Sequence, residues 1–132
     1  MTDKELLFKD LCARLPYEVK GILTYDESNT TFTVEGIDNN VLHLSDAEEC
    51  YVEDFKPYLR PMSSMTDEEK KEYRKTQITK WVKCVDCTHG GYYEHRDTIK
   101  TFDWLNKNMF DYRGLIEKGL ALEAKEDMYN LK

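Results

Sequence analysis

The chain runs through two hydrophobic periods, and the change between them falls at Pro16. Before it, Leu6, Leu7, Leu11 and the less apolar Ala13 recur at helical spacing, with Phe8 and Cys12 beside them, which predicts an amphipathic helix over residues 3–14. Thr2 or Asp3 can cap it, and Pro16 predicts its end, because the residue before a proline is pushed out of the helical region. From Tyr17 the period is two. Val19, Ile22 with Leu23, and Tyr25 precede the polar turn Asp26-Glu27-Ser28-Asn29. Phe32 and Val34 alternate with polar residues, Asn39-Asn40 marks another turn, and Val41, Leu42 and Leu44 follow, then Tyr51-Val52 and Phe55. The pattern predicts three or four short strands in a meander. So small a sheet must close on itself or have one face covered by a helix.

Pro57 and Pro61 predict the exit from the sheet. In MTDEEKKEY, Thr66 and Glu69 have the spacing of a capping box, so a helix is expected from there to about Lys75. QITKWVKCV has strand-like content and THGGYY turns the chain, which predicts a hairpin excursion over 77–95. A helix is expected from Thr98, with Ile99, Phe102, Leu105 and Met109 on one face. Asp111 can cap a third, ended by Gly119 at a left-handed C′ position with Leu120 over Leu115. Leu120, Leu122 and Ala124 predict a short last strand, and KEDMYNLK a loose tail. The expectation is one α+β domain over 1–132: a helix and β-meander (1–57), a helical part with the hairpin (58–124) and the tail (125–132). Its fold class is a small bent antiparallel sheet or SH3-like barrel with an N-terminal helix, covered by two or three C-terminal helices.

Composition changes the picture in one respect. With 40% hydrophobic and 34% charged residues and a mean hydropathy of −0.73, the chain is globular but thinly cored, and its nine tyrosines supply much of the apolar bulk. A net charge of −7 gives no electrostatic reason to approach nucleic acid or an anionic membrane and suits a basic partner surface. No stretch approaches the ~20 apolar residues of a membrane span, and the first residues lack a signal peptide's apolar run. A cytoplasmic protein with reduced cysteines and no membrane partner is therefore expected.

Candidate chemistry is sparse. Cys84 and Cys87 form a C-x2-C pair that would preorganise half of a tetrahedral zinc site, with His89 and His95 to complete it. The histidines do not follow at zinc-finger spacing, and the preferred reading is a hairpin whose cysteines pack as small hydrophobes. Ser63 and Ser64 precede a helix start, where serines satisfy orphan amides. His43 fits a half-exposed strand position, and the carboxylate runs fit turns and helix ends. Gly90-Gly91 lacks the frame of a phosphate loop. LIEKGLALE is similar to a winged-helix junction, but no basic face accompanies it. No catalytic residue, cofactor or bound metal is expected.

LCARLPYEVK, KPYLRPMSSMTDEEKKEY and DWLNKNMFDYRGLIEKGLALEAKEDMY resemble the recurring blocks of an uncharacterised family of small proteins from gut bacteria and their phages and prophages. The resemblance covers about half the chain. It implies a mobile-element context and a compact α+β protein, but no activity and no functional residue. It also implies variability in 18–52 and 76–98, the latter holding Cys84 and Cys87. Within the blocks, Tyr58, Arg60, Tyr112 and Arg113 set aromatic and guanidinium groups beside rigid or capping residues, a set suited to an internal joint or to partner binding. The function expected is a non-catalytic, phage- or prophage-derived protein-interaction module with an unknown protein partner. The alternative is a zinc-stabilised or nucleic-acid-associated accessory protein, and a small enzyme using Ser63, Ser64 or the cysteine pair ranks last.

Overall fold

Thr2 accepts a hydrogen bond from the Glu5 amide at 3.1 Å and opens α1, Asp3–Arg14, satisfying one of the first-turn amides that a helix leaves without a partner. The computed structural model describes residues 1–77, 80–83, 92–95 and 98–129, the two short internal stretches as backbone. Its other elements are β1 Lys20–Leu23, β2 Phe32–Asp38, β3 Val41–Leu44, β4 Glu49–Tyr51, β5 Phe55–Leu59, α2 Asp67–Thr76, β6 Lys80–Lys83, β7 Tyr92–His95, α3 Thr98–Lys107 and β8 Leu122–Glu123. The protein is mixed α+β and divides into two compact units, residues 1–64 with 106–132, and residues 65–105.

The first unit holds a six-stranded sheet in the order β4-β3-β2-β1-β5-β8, antiparallel except for the β5 and β8 pair. Among the described residues β4 and β8 do not pair with each other, so the sheet is not a closed barrel, and that part of the expectation is corrected. Bending comes from β2. Its register against β3 slips between Val34 and Gly36, so two steps on β2 oppose one on β3, a bulge that kinks the strand and increases its twist. One end of β2 pairs with β1 and the other with β3.

The β3–β4 hairpin turns on Asp46 and Ala47, both at positive φ (61° and 59°), with the Glu48 amide donating to Ser45 O at 3.4 Å. Two successive left-handed residues match the twist of a hairpin, which is why Asn-Gly or Asp-Gly is favoured there. Ala47 occupies the glycine position and carries the Cβ strain. Ala47→Gly should therefore stabilise the first unit by about 1 kcal/mol, seen as a higher urea midpoint at unchanged slope.

Pro57 was expected to end the sheet, and instead it lies inside β5 opposite Gly21. The reason is register. Thr24 N–H bonds Asp54 O at 2.9 Å, which makes Leu23 and Phe55 a non-hydrogen-bonded pair, and Gly21 and Pro57, two residues on, another. The nitrogen of Pro57 thus points away from β1, at a level where β8 has not yet begun, and no ladder bond is lost.

The core joins Leu7 and Leu11 of α1 to Leu23, Phe32, Val34, Leu42, Leu44 and Phe55 of the sheet and to Met109, Leu115 and Ala121. Three further expectations change here. Residues 111–119 form turns rather than a third helix. Their cap nonetheless forms, since Asp111 accepts from the amides of Leu115 and Ile116 (both 2.9 Å), Gly119 has φ 76°, and Leu120 N–H bonds Leu115 O at 2.9 Å. The tail is not loose through residue 129: the Tyr129 hydroxyl donates to Tyr58 O at 2.7 Å and accepts from Lys20 N–H at 2.9 Å, clipping it to β1 and β5. On the expected stripe of α3, Leu105 and Met109 are buried but Ile99 and Phe102 are 72% and 48% exposed.

In the second unit the capping box is complete, with Glu69 N–H on Thr66 Oγ1 at 3.1 Å and Thr66 N–H on Glu69 Oε1 at 3.0 Å. The expected hairpin is present as β6 and β7. Tyr73 of α2 stacks on Trp104 of α3 at 5.6 Å, and Trp104 Nε1 donates to Glu72 at 3.3 Å.

Candidate functional site

Tyr58, Arg60, Tyr112 and Arg113 are brought together by an internal joint. Arg60 N–H bonds Met109 O at 2.7 Å and Asp111 N–H bonds Arg60 O at 2.8 Å, so the end of β5 is tied to the segment that carries Tyr112 and Arg113. The Arg60 guanidinium lies 4.3 Å from the Phe110 ring centre, and Tyr58 is buried. Tyr112 takes Arg113 over its ring at 4.9 Å and Arg14 at 5.4 Å, and its hydroxyl donates to Asn106 Oδ1 at 2.8 Å.

Behind this joint lies a pair that hydrophobic patterning missed. Asp10 and Arg14 are each fully buried on the inner face of α1, joined by Arg14 Nε and Nη2 at 2.8 and 3.1 Å. Arg14 Nη2 also donates to Phe110 O at 2.7 Å, and Arg113 Nη1 stands 3.7 Å from Asp10 Oδ1. The i, i+4 spacing of opposite charges was visible, but such pairs ordinarily face solvent. Two guanidiniums and one carboxylate thus fix α1 to the Phe110 segment.

Cys84, Cys87 and His89 lie outside the described residues, and His95 is described only as backbone in β7. Among the described residues no cluster of three or more His, Cys, Asp or Glu could hold a metal ion. Ser64 folds back on its own turn, its hydroxyl bonding Pro61 O at 2.6 Å, and Ser63 is exposed. His43 Nδ1 faces Glu49 Oε1 across β3 and β4 at 3.3 Å. Among the described residues no helix is long and apolar enough to cross a membrane.

The outward-facing chemistry gathers at β4 and the β1–β2 loop. Leu44 N–H bonds Glu48 O at 2.8 Å and Val52 N–H bonds Asn40 O at 3.1 Å. Together with the register His43 to Glu49, Leu42 to Cys50 and Val41 to Tyr51, this leaves only Cys50 exchanging backbone bonds with β3. The N–H and C=O groups of Glu49 and the N–H of Tyr51 point to the open edge, while the Tyr51 C=O opens the 3₁₀ turn Val52–Asp54. Side chains alternate in the same sense: Cys50 is buried, while Glu49 and Tyr51 are exposed, the latter to 57%.

Tyr25 is 62% exposed, and its hydroxyl pKa is raised, first by desolvation and then by Cys50, Asp54, Glu48 and Asp26. Asp26 is held below its usual range by hydrogen bonds from the Ser28 hydroxyl (2.8 Å) and amide (3.0 Å). Glu53 is lowered by its own backbone amide and by Asn40 Nδ2 at 3.0 Å. Asp26, Glu48 and Asp54 thus set negative charge around the exposed Tyr25, and Glu49 and Glu53 flank the exposed Tyr51 in sequence.

Burial, followed by Asp54 and Glu53, pushes the Cys50 thiol up to about 12, and burial raises Tyr129 above its ordinary value. In the unfolded chain these groups deprotonate from about pH 9 and 10, while the folded protein holds both protons longer. Stability is thus full below pH 9 and should fall as pH rises from about 9 to about 12. Urea titrations across that range should show the fall starting near pH 10 rather than 9 in Cys50→Ala, with a shallower slope above pH 10 in Tyr129→Phe.

Comparison with known proteins finds no matching family model, no similar curated protein and no similar solved structure.

Proposed function

We propose that the chain is a non-catalytic protein-interaction module of phage or prophage origin, acting in the host cytosol through its acidic, tyrosine-bearing surface. The observation that carries this reading is the exposure of Tyr25 and Tyr51 among Asp26, Glu48, Glu49, Glu53 and Asp54. Exposed tyrosines are characteristic anchors of protein interfaces, and the surrounding charge selects a basic partner and steers its approach. Tyr58, Arg60, Tyr112 and Arg113, whose side chains are turned to packing, serve as structural joints in this reading. An SH3-like architecture is supported by the order β4-β3-β2-β1-β5 and by the 3₁₀ turn Val52–Asp54 that leads into β5. Such a fold presents loops and edges on a small rigid sheet, a frame that serves recognition.

Affinity capture from the natural host with the full chain tests the reading. A specific protein should be retained by the wild type and lost from the doubly substituted Tyr25→Ala, Tyr51→Ala protein. Retention by both excludes this surface, and binding to DNA or RNA with steep salt dependence overturns the proposal in favour of a nucleic-acid role.

A further inference from the structure

We propose that the open edge of β4 is a strand-addition site that takes an extended, Lys- or Arg-bearing segment of another protein. The proposal rests on the interaction-module reading and narrows it to one edge and one kind of partner. Glu49 presents an unbonded N–H and C=O outward, and Tyr51, two residues on, an outward N–H, its C=O being taken by the 3₁₀ turn Val52–Asp54; this is the alternation an incoming antiparallel strand uses. No other strand among the described residues occupies that side of β4.

Side-chain direction then specifies the guest. Residues directly opposite Glu49 and Tyr51 would project on the same outer face as they do. Lys or Arg opposite Glu49 gains a cross-strand charge pair, and a cation or its methylene stem opposite Tyr51 lies against the exposed ring. Glu48, Glu53 and Asp54, which flank β4 in sequence, add the same sign. A second copy is a poor occupant, because pairing β4 with β4 would bring two sets of these carboxylates together. Charge that repels an identical edge attracts a basic one.

Tyr51 allows a test that spares the fold. Its φ of −76° and ψ of 154° are proline-compatible, and its N–H makes no bond to β3, so Tyr51→Pro deletes the outward donor without removing a ladder bond. The isotope-labelled full chain is titrated with a short peptide alternating Lys and Val, and with the same peptide N-methylated on alternate backbone amides. The Glu49 and Tyr51 amides should shift and gain exchange protection. N-methylation, Tyr51→Pro or Glu49→Lys should each weaken binding by about tenfold. Equal affinity for the methylated peptide reduces the effect to surface charge and overturns the site, as do shifts confined to other elements. An edge-paired dimer of the chain itself overturns the choice of occupant. Because the titration reads β4 directly and host capture reads any surface, a host partner retained equally by wild type and Tyr51→Pro overturns this site while the broader reading stands.

Discussion

Asp10→Ala is expected to destabilise the first unit by about 3–5 kcal/mol, the cost of leaving buried charge without its partner. Asp10 is the carboxylate that faces both Arg14 and Arg113, and Arg14 is itself completely buried. Removing the carboxylate leaves the Arg14 guanidinium with the Phe110 carbonyl and the Tyr112 ring, neither of which carries a compensating charge. Replacing both members, as in Asp10→Leu with Arg14→Met, should cost less than the single change, because the fully buried guanidinium is removed with its partner and only the partly exposed Arg113 loses its carboxylate. Urea denaturation followed by circular dichroism gives both numbers. A single substitution that costs no more than the double one would show that the pair is not the element holding α1.

Gly21→Ala should rank second, at roughly 1–3 kcal/mol. A Cβ at Gly21 would lie well inside contact distance of the Phe55 ring and of Lys56 O. Phe55 is fully buried and the Lys56 carbonyl belongs to the strand paired with β1, so neither can withdraw cheaply. The clash is partly with a side chain, which makes it separable: in a Phe55→Leu background the added methyl should cost less, and a double-mutant cycle should show coupling of about 1 kcal/mol. Additive costs would place the strain on the Lys56 carbonyl instead.

Local rules explain why some of this fold is legible in the chain. The Thr2 cap, the Thr66 and Glu69 box, the Asn39-Asn40 turn and the Gly119 and Leu120 cap each depend on a few adjacent residues, and each appears. Features set by distant partners were not legible. Pro57 sits in a strand because of the register it keeps with β1, which its own neighbours do not encode. Asp10 and Arg14 face inward because Phe110 supplies an acceptor 96 residues after Arg14. The segment after Asp111 has a helix's caps but only a turn between them. Of the candidate surface, the acidic charge and abundant tyrosine were visible. Which tyrosines are exposed was not, since Tyr51 and Tyr58 each stand between less polar neighbours on a strand and differ in burial by their place on the sheet.

The clip made by Tyr129 also bears on the order in which the chain acquires structure. Its hydroxyl joins Lys20, 109 residues earlier, and Tyr58, 71 residues earlier, while the whole second unit is encoded between the two parts of the first. During synthesis α1 and the early strands must therefore wait, with Arg14 lacking the Phe110 carbonyl, until residues beyond 105 have emerged. Local helices and hairpins form in microseconds, whereas contacts so far apart carry a loop-closure penalty that slows the final step. The second unit has no such dependence within its own span, so it has the shorter route to its native contacts, and closure of the first unit is the slow event.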